Sequence, residues 1–443
     1  MSESKMWFKA VTTTKFYLMV TLVLSIVSAG YGQDISLAQM SGFIQGTYLN
    51  PSAKIDKKLN IGLGSYFLSL ETDGPSVNSL LPLGANGKRY LADTDHGFTL
   101  GGSQNIFITN DIHTLDLSLK VGGITIMAGH AFKTKCNIIY PTDLVSLLQR
   151  GNAPYIGKTL NIAPEINLNS YNELYLGLQK SFGPLDIGVK AKLLFGVANI
   201  FTDRSKLDFT TDSEYYQLRF DGDYVVRSSA LVKYQGLDDI DFDYQGFSFD
   251  NLFYNNRGFG LDIGATYHIN EKLSIAASAL DLGSITWDFF PRKFTIDGQY
   301  SFDGIDVIDL AIDSNLSIQD TLLDLLNVDQ SIQKYSTRLN STFTFSASFK
   351  PSDKWLINGM VVYQNLNNAS RSFMTLAVMR NLGPVSIGIH ETLTTHDYFN
   401  IGLSGRIKLG PVAVFAFIDN VPAIFKPLDN NFISGRLSAN LQF

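Results

Sequence analysis

The sequence predicts an all-β protein: a transmembrane antiparallel β-barrel of about 14 strands with short helices in its outer loops. Three observations lead there. The chain ends NFISGRLSANLQF, in which Ile433, Gly435, Leu437, Ala439, Leu441 and Phe443 alternate with Ser434, Arg436, Ser438, Asn440 and Gln442. That is the period of a strand with one apolar and one polar face. The composition is rich in Phe (31), Tyr (20) and Gly (37) and poor in charge (17%), and no apolar run beyond the N-terminus approaches the roughly 18–20 residues of a membrane helix. Tight turns also alternate with long loops, as in barrels whose turns face the periplasm. A large secreted β-sandwich is the competing class, but sandwich termini usually fray, whereas the last strand of a barrel must close a ring.

At the N-terminus, Lys5, Lys9 and Lys15 precede the apolar run FYLMVTLVLSIV and then SAGYGQ. This reads as a signal peptide over residues 1–32, with cleavage expected after Gly32 or, alternatively, Gly30. Its removal takes away three lysines and Glu3, moving the formal charge from −6 to −8. An acidic exported chain is a poor partner for nucleic acid. The single cysteine, Cys136, has no internal disulfide partner and lies far from the cleavage region, so neither a disulfide framework nor a lipid anchor is expected.

Alternation recurs along the chain. Phe259, Leu261, Ile263, Ala265, Tyr267 and Ile269 alternate with glycines, Asp262, Thr266 and His268; Leu339, Phe343, Phe345, Ala347 and Phe349 lie opposite Arg338, Asn340, Thr342 and Thr344. Gly183-Pro184, Gly383-Pro384 and Gly410-Pro411, with the VGG, INEK and PSDK segments, mark six tight hairpins. Strands are therefore expected near 60–70, 112–121, 123–133, 171–182, 185–199, 257–269, 272–283, 336–350, 354–365, 370–382, 385–394, 397–409, 412–420 and 431–443. Phe98–Thr109 and Lys206–Arg227 also alternate and are candidates for further strands above the membrane. Residues 33–59 remain as a periplasmic or plug segment, and 60–443 as the barrel. The expected surroundings are outer-membrane lipid, lipopolysaccharide and the barrel assembly machinery, because the terminal strand ending in Phe443 resembles the assembly signal of such barrels.

No constellation for catalysis stands out. The six histidines lack metal-ligand spacing, and no cofactor or metal is expected. The cluster Asp238, Asp239, Asp241 and Asp243 reads as a solvated outer loop in preference to a Ca²⁺ site, lacking the Gly and distal Glu of an EF-hand loop. Lys190, Lys192, Asp262, His268, Arg338, Arg406 and Lys408 sit on polar faces, where lipid exposure would be costly, so they are expected to line the lumen. There they form either a salt-bridged network around the N-terminal segment, which is the preferred reading, or a permeation path. Two loop segments read as short amphipathic helices: one with Leu144, Leu147 and Leu148, the other with Leu322 and Leu326. They either pack together as a lid, the preferred reading, or capture hydrophobic molecules.

Arg150–Ile200, Asn255–Trp287 and the early QGTYLNPSA resemble a family of uncharacterised Bacteroidota outer-membrane proteins. That family is similar in turn to the fourteen-stranded class that includes FadL-like channels and type IX secretion accessory barrels. The resemblance implies capture or passage of small hydrophobic molecules, without enzymatic activity. The alternative it implies is a non-transport accessory or scaffold subunit of a secretion or assembly complex.

Overall fold

In the computed structural model, residues 42–92, 98–234, 240–242, 248–302, 329–394 and 400–443 are described. Residues 1–32, where a signal peptide is expected, and the segment carrying Leu322 and Leu326 lie outside them. So do Asp238, Asp239 and Asp243 of the acidic cluster.

Fourteen antiparallel strands close into one barrel. They are β1 Leu59–Thr72, β2 Ser103–Val121, β3 Ile124–Pro141, β4 Glu165–Phe182, β5 Leu185–Thr211, β6 Arg257–His268 and β7 Leu273–Trp287. Next come β8 Ser341–Ser352, preceded by a short piece Tyr335–Arg338, β9 Trp355–Asn365, β10 Ser370–Asn381, β11 Val385–Thr394, β12 Asn400–Leu409, β13 Val412–Ile418 and β14 Phe432–Gln442. Each strand pairs with its sequence neighbour in this series, and β14 returns to β1, with Ile61 opposite Leu441 and Glu71 opposite Phe432. Closure leaves no edge, which lipid could not satisfy.

The tight turns fall on one rim. Gly122, Gly123, Gly183, Gly383 and Gly410 adopt positive φ there, the conformation that two-residue hairpins demand and that glycine adopts without strain. At the opposite rim, β5 runs on above the barrel and returns through Leu218–Ala230, which pairs with Arg292–Phe302. Lys206–Arg227 therefore builds an outer hairpin and adds no strand to the ring. Phe98–Thr109 is not a separate strand either, because β2 starts at Ser103 and runs unbroken through it.

The outward face carries an exposed apolar belt, including Leu117, Leu176, Leu178, Val189, Phe345, Leu376, Ile389, Leu403 and Leu437. No described helix is long and apolar enough to cross a membrane; the strands supply the apolar surface, alternating it with a polar interior.

Bulges interrupt that alternation: one at Val197 on β5, and two more that are matched across adjacent strands. Leu63 on β1 and Thr114 on β2 are extra residues at the same level, and an extra residue on β7 beside Asp281 (φ 56) faces the gap in pairing at Leu339–Asn340. A bulge inserts one residue and so exchanges the faces beyond it. Below the second pair Thr342 and Thr344 point inward; above it Leu339 and Thr337 do. This corrects the expectation for Arg338, which is exposed on the outer face and does not line the lumen. Its alternation, read straight through the bulge, carried the wrong parity.

Candidate functional site

The lumen is occupied by the chain's own N-terminal segment. Residues 42–56 enter from the turn-side rim, form a short 3-10 helix at Ile44–Tyr48, turn at Asn50–Ala53 and come back, with Gly42 bridging to Ile55. Ile44, Gln45, Thr47, Ser52 and Ile55 are completely buried.

The wall grips this knob through both its backbone and its side chains. Lys190 Nζ donates to the Thr47 carbonyl at 2.8 Å, Gln179 Nε2 to the Ser52 carbonyl at 2.9 Å, and Gln442 Nε2 to the Gly42 carbonyl at 3.1 Å. Gln45 and Asn440 exchange side-chain amide bonds of 2.7 and 2.6 Å. The polar face of the terminal strand is thus the surface that holds the plug. Gly188 and Gly264 are its counterpart on the opposite side: a Cβ on Gly188 would overlap the Pro51 carbonyl, and one on Gly264 the Asn50 side chain. We expect Gly188→Val to leave the barrel folded, because extended strand backbone accepts valine, yet to expel the plug. A maleimide reacting with Ser52→Cys in this background, but not in the Gly188 parent, would verify it; equal protection in both would refute it.

The inward residues of β5 arrange the lumen in layers. Asp186 meets His268 Nε2 at 2.8 Å near the turn-side rim, Gly188 and Lys190 meet the plug, and Lys192 enters an ion network. Leu194 joins a dry cluster of Tyr171, Ile285, Trp287, Tyr335 and Leu339 above it. The period of two in LDIGVKAKLL sets this order directly.

In the network, Lys192 Nζ lies 2.6 Å from Asp281, 2.7 Å from Asp262 and 3.4 Å from Glu173. Lys133 contacts Glu173 at 2.9 Å and Lys135 contacts Asp281 at 2.9 Å. Three cations and three carboxylates therefore neutralise one another in a site where an unpaired charge would be costly. The bulge at Asp281 is what turns that carboxylate inward, next to the inward-facing Leu280. On the facing wall, Arg371 pairs with Glu71 at 3.0 Å.

Toward the plug, Tyr48 stacks on His113 with ring centroids 3.7 Å apart and donates to Asp116, which also accepts from Tyr175. Arg436, fully buried, donates to Ser65 Oγ at 2.6 Å and lies over Phe67 and Tyr48. Arg406 lies over Phe43 and donates to Asn381 and Ser386, while Lys408 is half-buried near the turn-side rim.

On the remaining wall β9, β10 and β13 differ in kind, whereas β11 and β12 between them turn Ser386, His390, Thr392, Asn400 and Ser404 inward. Leu356, Met360, Val362, Phe373, Met379, Phe415 and Phe417 point into the lumen, and the plug residues Phe43 and Leu49 pack on them. Between this apolar wall, the ion network and Tyr48 remains a cavity of about 70 Å³, bordered by Phe67, Leu280, Val362, Phe373, Arg371 and the network lysines. It has room for a few waters.

Above the barrel a second apolar core forms from Leu160, Leu207, Phe209, Phe220, Tyr224, Phe294 and Ile296, and Leu147 packs against it. Leu144 is half-buried and Leu148 exposed on the same helix, Thr142–Arg150. These leucines do not meet the lumen cavity.

A family model matches residues 51–419 and is described as a family of unknown function, DUF5723. The chain belongs to that family. No curated protein sequence matches this DUF5723 member. Solved structures that align with it include a deletion mutant of the monoaromatic hydrocarbon channel TodX, at 7% identity and TM-score 0.47, covering 90% of this chain and 94% of that one. They also include the Pseudomonas putida toluene transporter TodX, at 8% identity and TM-score 0.43, covering 94% and 96%. The Ralstonia pickettii toluene transporter TbuX aligns at 11% identity and TM-score 0.37, covering 94% and 98%. Identities and scores this low carry no information on cargo.

Proposed function

We propose that the protein is an outer-membrane barrel for capture or passage of small hydrophobic molecules, closed in the described state by its N-terminal plug. The observation that carries this reading is the apolar surface that β9, β10 and β13 turn to the plug. A lumen kept only as a scaffold has no need of an apolar surface against a segment that can be withdrawn. Here β9, β10 and β13 offer Leu356, Met360, Val362, Phe373 and Phe415 to whatever replaces Phe43 and Leu49, and each buried CH₂ of a guest would contribute about 0.8 kcal/mol. The ion network on the other side is neutral and self-satisfied, so it holds the wall without demanding a charged cargo.

Locking the plug tests this. Ser52 Oγ and Thr266 Oγ1 are 2.7 Å apart, within reach of a disulfide once both are cysteine. In a Cys136→Ser background, oxidised Ser52→Cys/Thr266→Cys protein is expected to reduce uptake of an N-phenylnaphthylamine probe to the level of cells lacking the barrel, with recovery on reduction. Uptake indifferent to the lock, or absent from unlocked protein, would overturn the transport reading and favour an accessory subunit of a secretion or assembly complex.

A further inference from the structure

The outer hairpin and the turn-side rim treat their cations differently. On the outer hairpin, Arg204 pairs with Asp223, Lys206 with Asp221, Arg219 with Asp212 and Arg227 with Asp203. On the turn-side rim, Lys272, Lys350, Lys354 and Arg380 are all exposed, and none forms an ion pair with a described residue. They are contiguous: Lys350 N donates to the Lys272 carbonyl, Asn381 N to the Lys354 carbonyl, and Trp355 stands opposite Arg380 across β9 and β10. Four unpaired cations thus follow one another along four consecutive strands, β7 to β10, with Glu271 and Asp353 as the acidic residues among them.

Their position relative to the apolar belt identifies the chemistry they face. Arg380 and Trp355 both point outward, the guanidinium lying 5.1 Å from the ring centroid, and Phe349 beside them is exposed on the same wall. On β4, Lys180 lies over the outward Phe182 in the same arrangement, 5.2 Å from the ring. An aromatic ring at the end of an apolar belt marks the level of lipid headgroups. A cation over such a ring keeps its N–H groups free for a phosphate. We propose that the turn-side rim from β7 to β10, centred on Arg380 and Trp355, binds anionic phospholipid headgroups of the adjoining leaflet and fixes the barrel's seating there. A soluble acidic partner would not explain why Arg380, and Lys180 on β4, stand over outward aromatic rings at the end of a lipid-facing wall.

The test uses full-length barrel reconstituted in phosphatidylethanolamine vesicles with and without phosphatidylglycerol, extracted gently and weighed by native mass spectrometry. Wild-type protein is expected to retain phosphatidylglycerol above its share of the vesicle lipid. The variant Lys272→Gln/Lys350→Gln/Lys354→Gln/Arg380→Gln is expected to lose that enrichment, while Lys206→Gln/Arg219→Gln on the outer hairpin keeps it. Should the fourfold variant fail to give a heat-modifiable barrel, Lys354→Gln/Arg380→Gln serves in its place and is expected to lose most of the enrichment. Inorganic phosphate should displace little of the lipid. Equal enrichment in wild type and rim variants, or complete displacement by phosphate, would overturn the proposal; the first result would leave an acidic protein segment as the rim's occupant.

Discussion

Removing Leu441–Phe443 is expected to abolish the folded barrel. These residues close the ring at its turn-side end. Phe443 and Leu59 exchange two backbone hydrogen bonds of 2.9 and 3.1 Å, Gln442 N donates to the Pro411 carbonyl at 2.8 Å, and Leu441 pairs with both Ile61 and Val412. Without them β1 and β13 both present unpaired backbone to lipid, at several kcal/mol for each unsatisfied group. The plug loses the Gln442 bond to Gly42 as well. Heat-modifiable electrophoresis of outer-membrane fractions reads the result, and a normal amount of compact species in the truncated protein would show that the seam closes without these residues. Phe443→Ala separates closure from recognition: its backbone bonds survive, so refolding in detergent should proceed, and any defect should appear only during assembly in cells.

The second large effect is expected in the ion network. Lys192→Met removes the cation shared by Asp262, Asp281 and Glu173, leaving carboxylates buried with incomplete compensation, and should cost about 3–5 kcal/mol. Adding Asp262→Asn removes a charge of the opposite sign and is expected to restore a substantial part of that loss. Thermal midpoints of heat modifiability for the wild type, both singles and the double form the cycle. Strict additivity would show that the two residues are not coupled and would dismiss the network as a structural unit. Asp281 needs separate handling because it also carries the bulge at φ 56. Asparagine tolerates that conformation, so Asp281→Asn tests charge alone, whereas Asp281→Ala adds backbone strain.

Much of this architecture was legible in one dimension. Strand positions, the rim of tight turns and the polar face of β14 follow from periods of two and from Gly-Pro spacing, both written within a few residues of each other. Lys190, Lys192 and Asp262 reach the lumen because β6 inserts no extra residue against β5 and the β5 bulge at Val197 lies beyond both lysines. Arg338 was misplaced because a bulge has no local signature in RLNSTF; what creates it is the neighbouring strand's own extra residue beside Asp281. The inward wall of β9 was equally illegible. MVVY is apolar on both faces, so periodicity could not say which side met lipid and which met Phe43 and Leu49. Lys133, Lys135, Glu173, Asp281 and Arg371 were missed as lumen residues because nothing local marks an ion-pair partner on another strand.

The sequence by itself determined a closed barrel of about fourteen strands and which connections are tight, since a repeat of two residues decides which face is apolar and Gly-Pro spacing marks the short turns. The tertiary structure decided the state of the lumen. Whether Gly188, Gly264, Asn440 and Gln442 border a channel or grip a plug depends on residues up to 400 positions apart meeting across the barrel, and only the closed ring brings them within hydrogen-bonding distance.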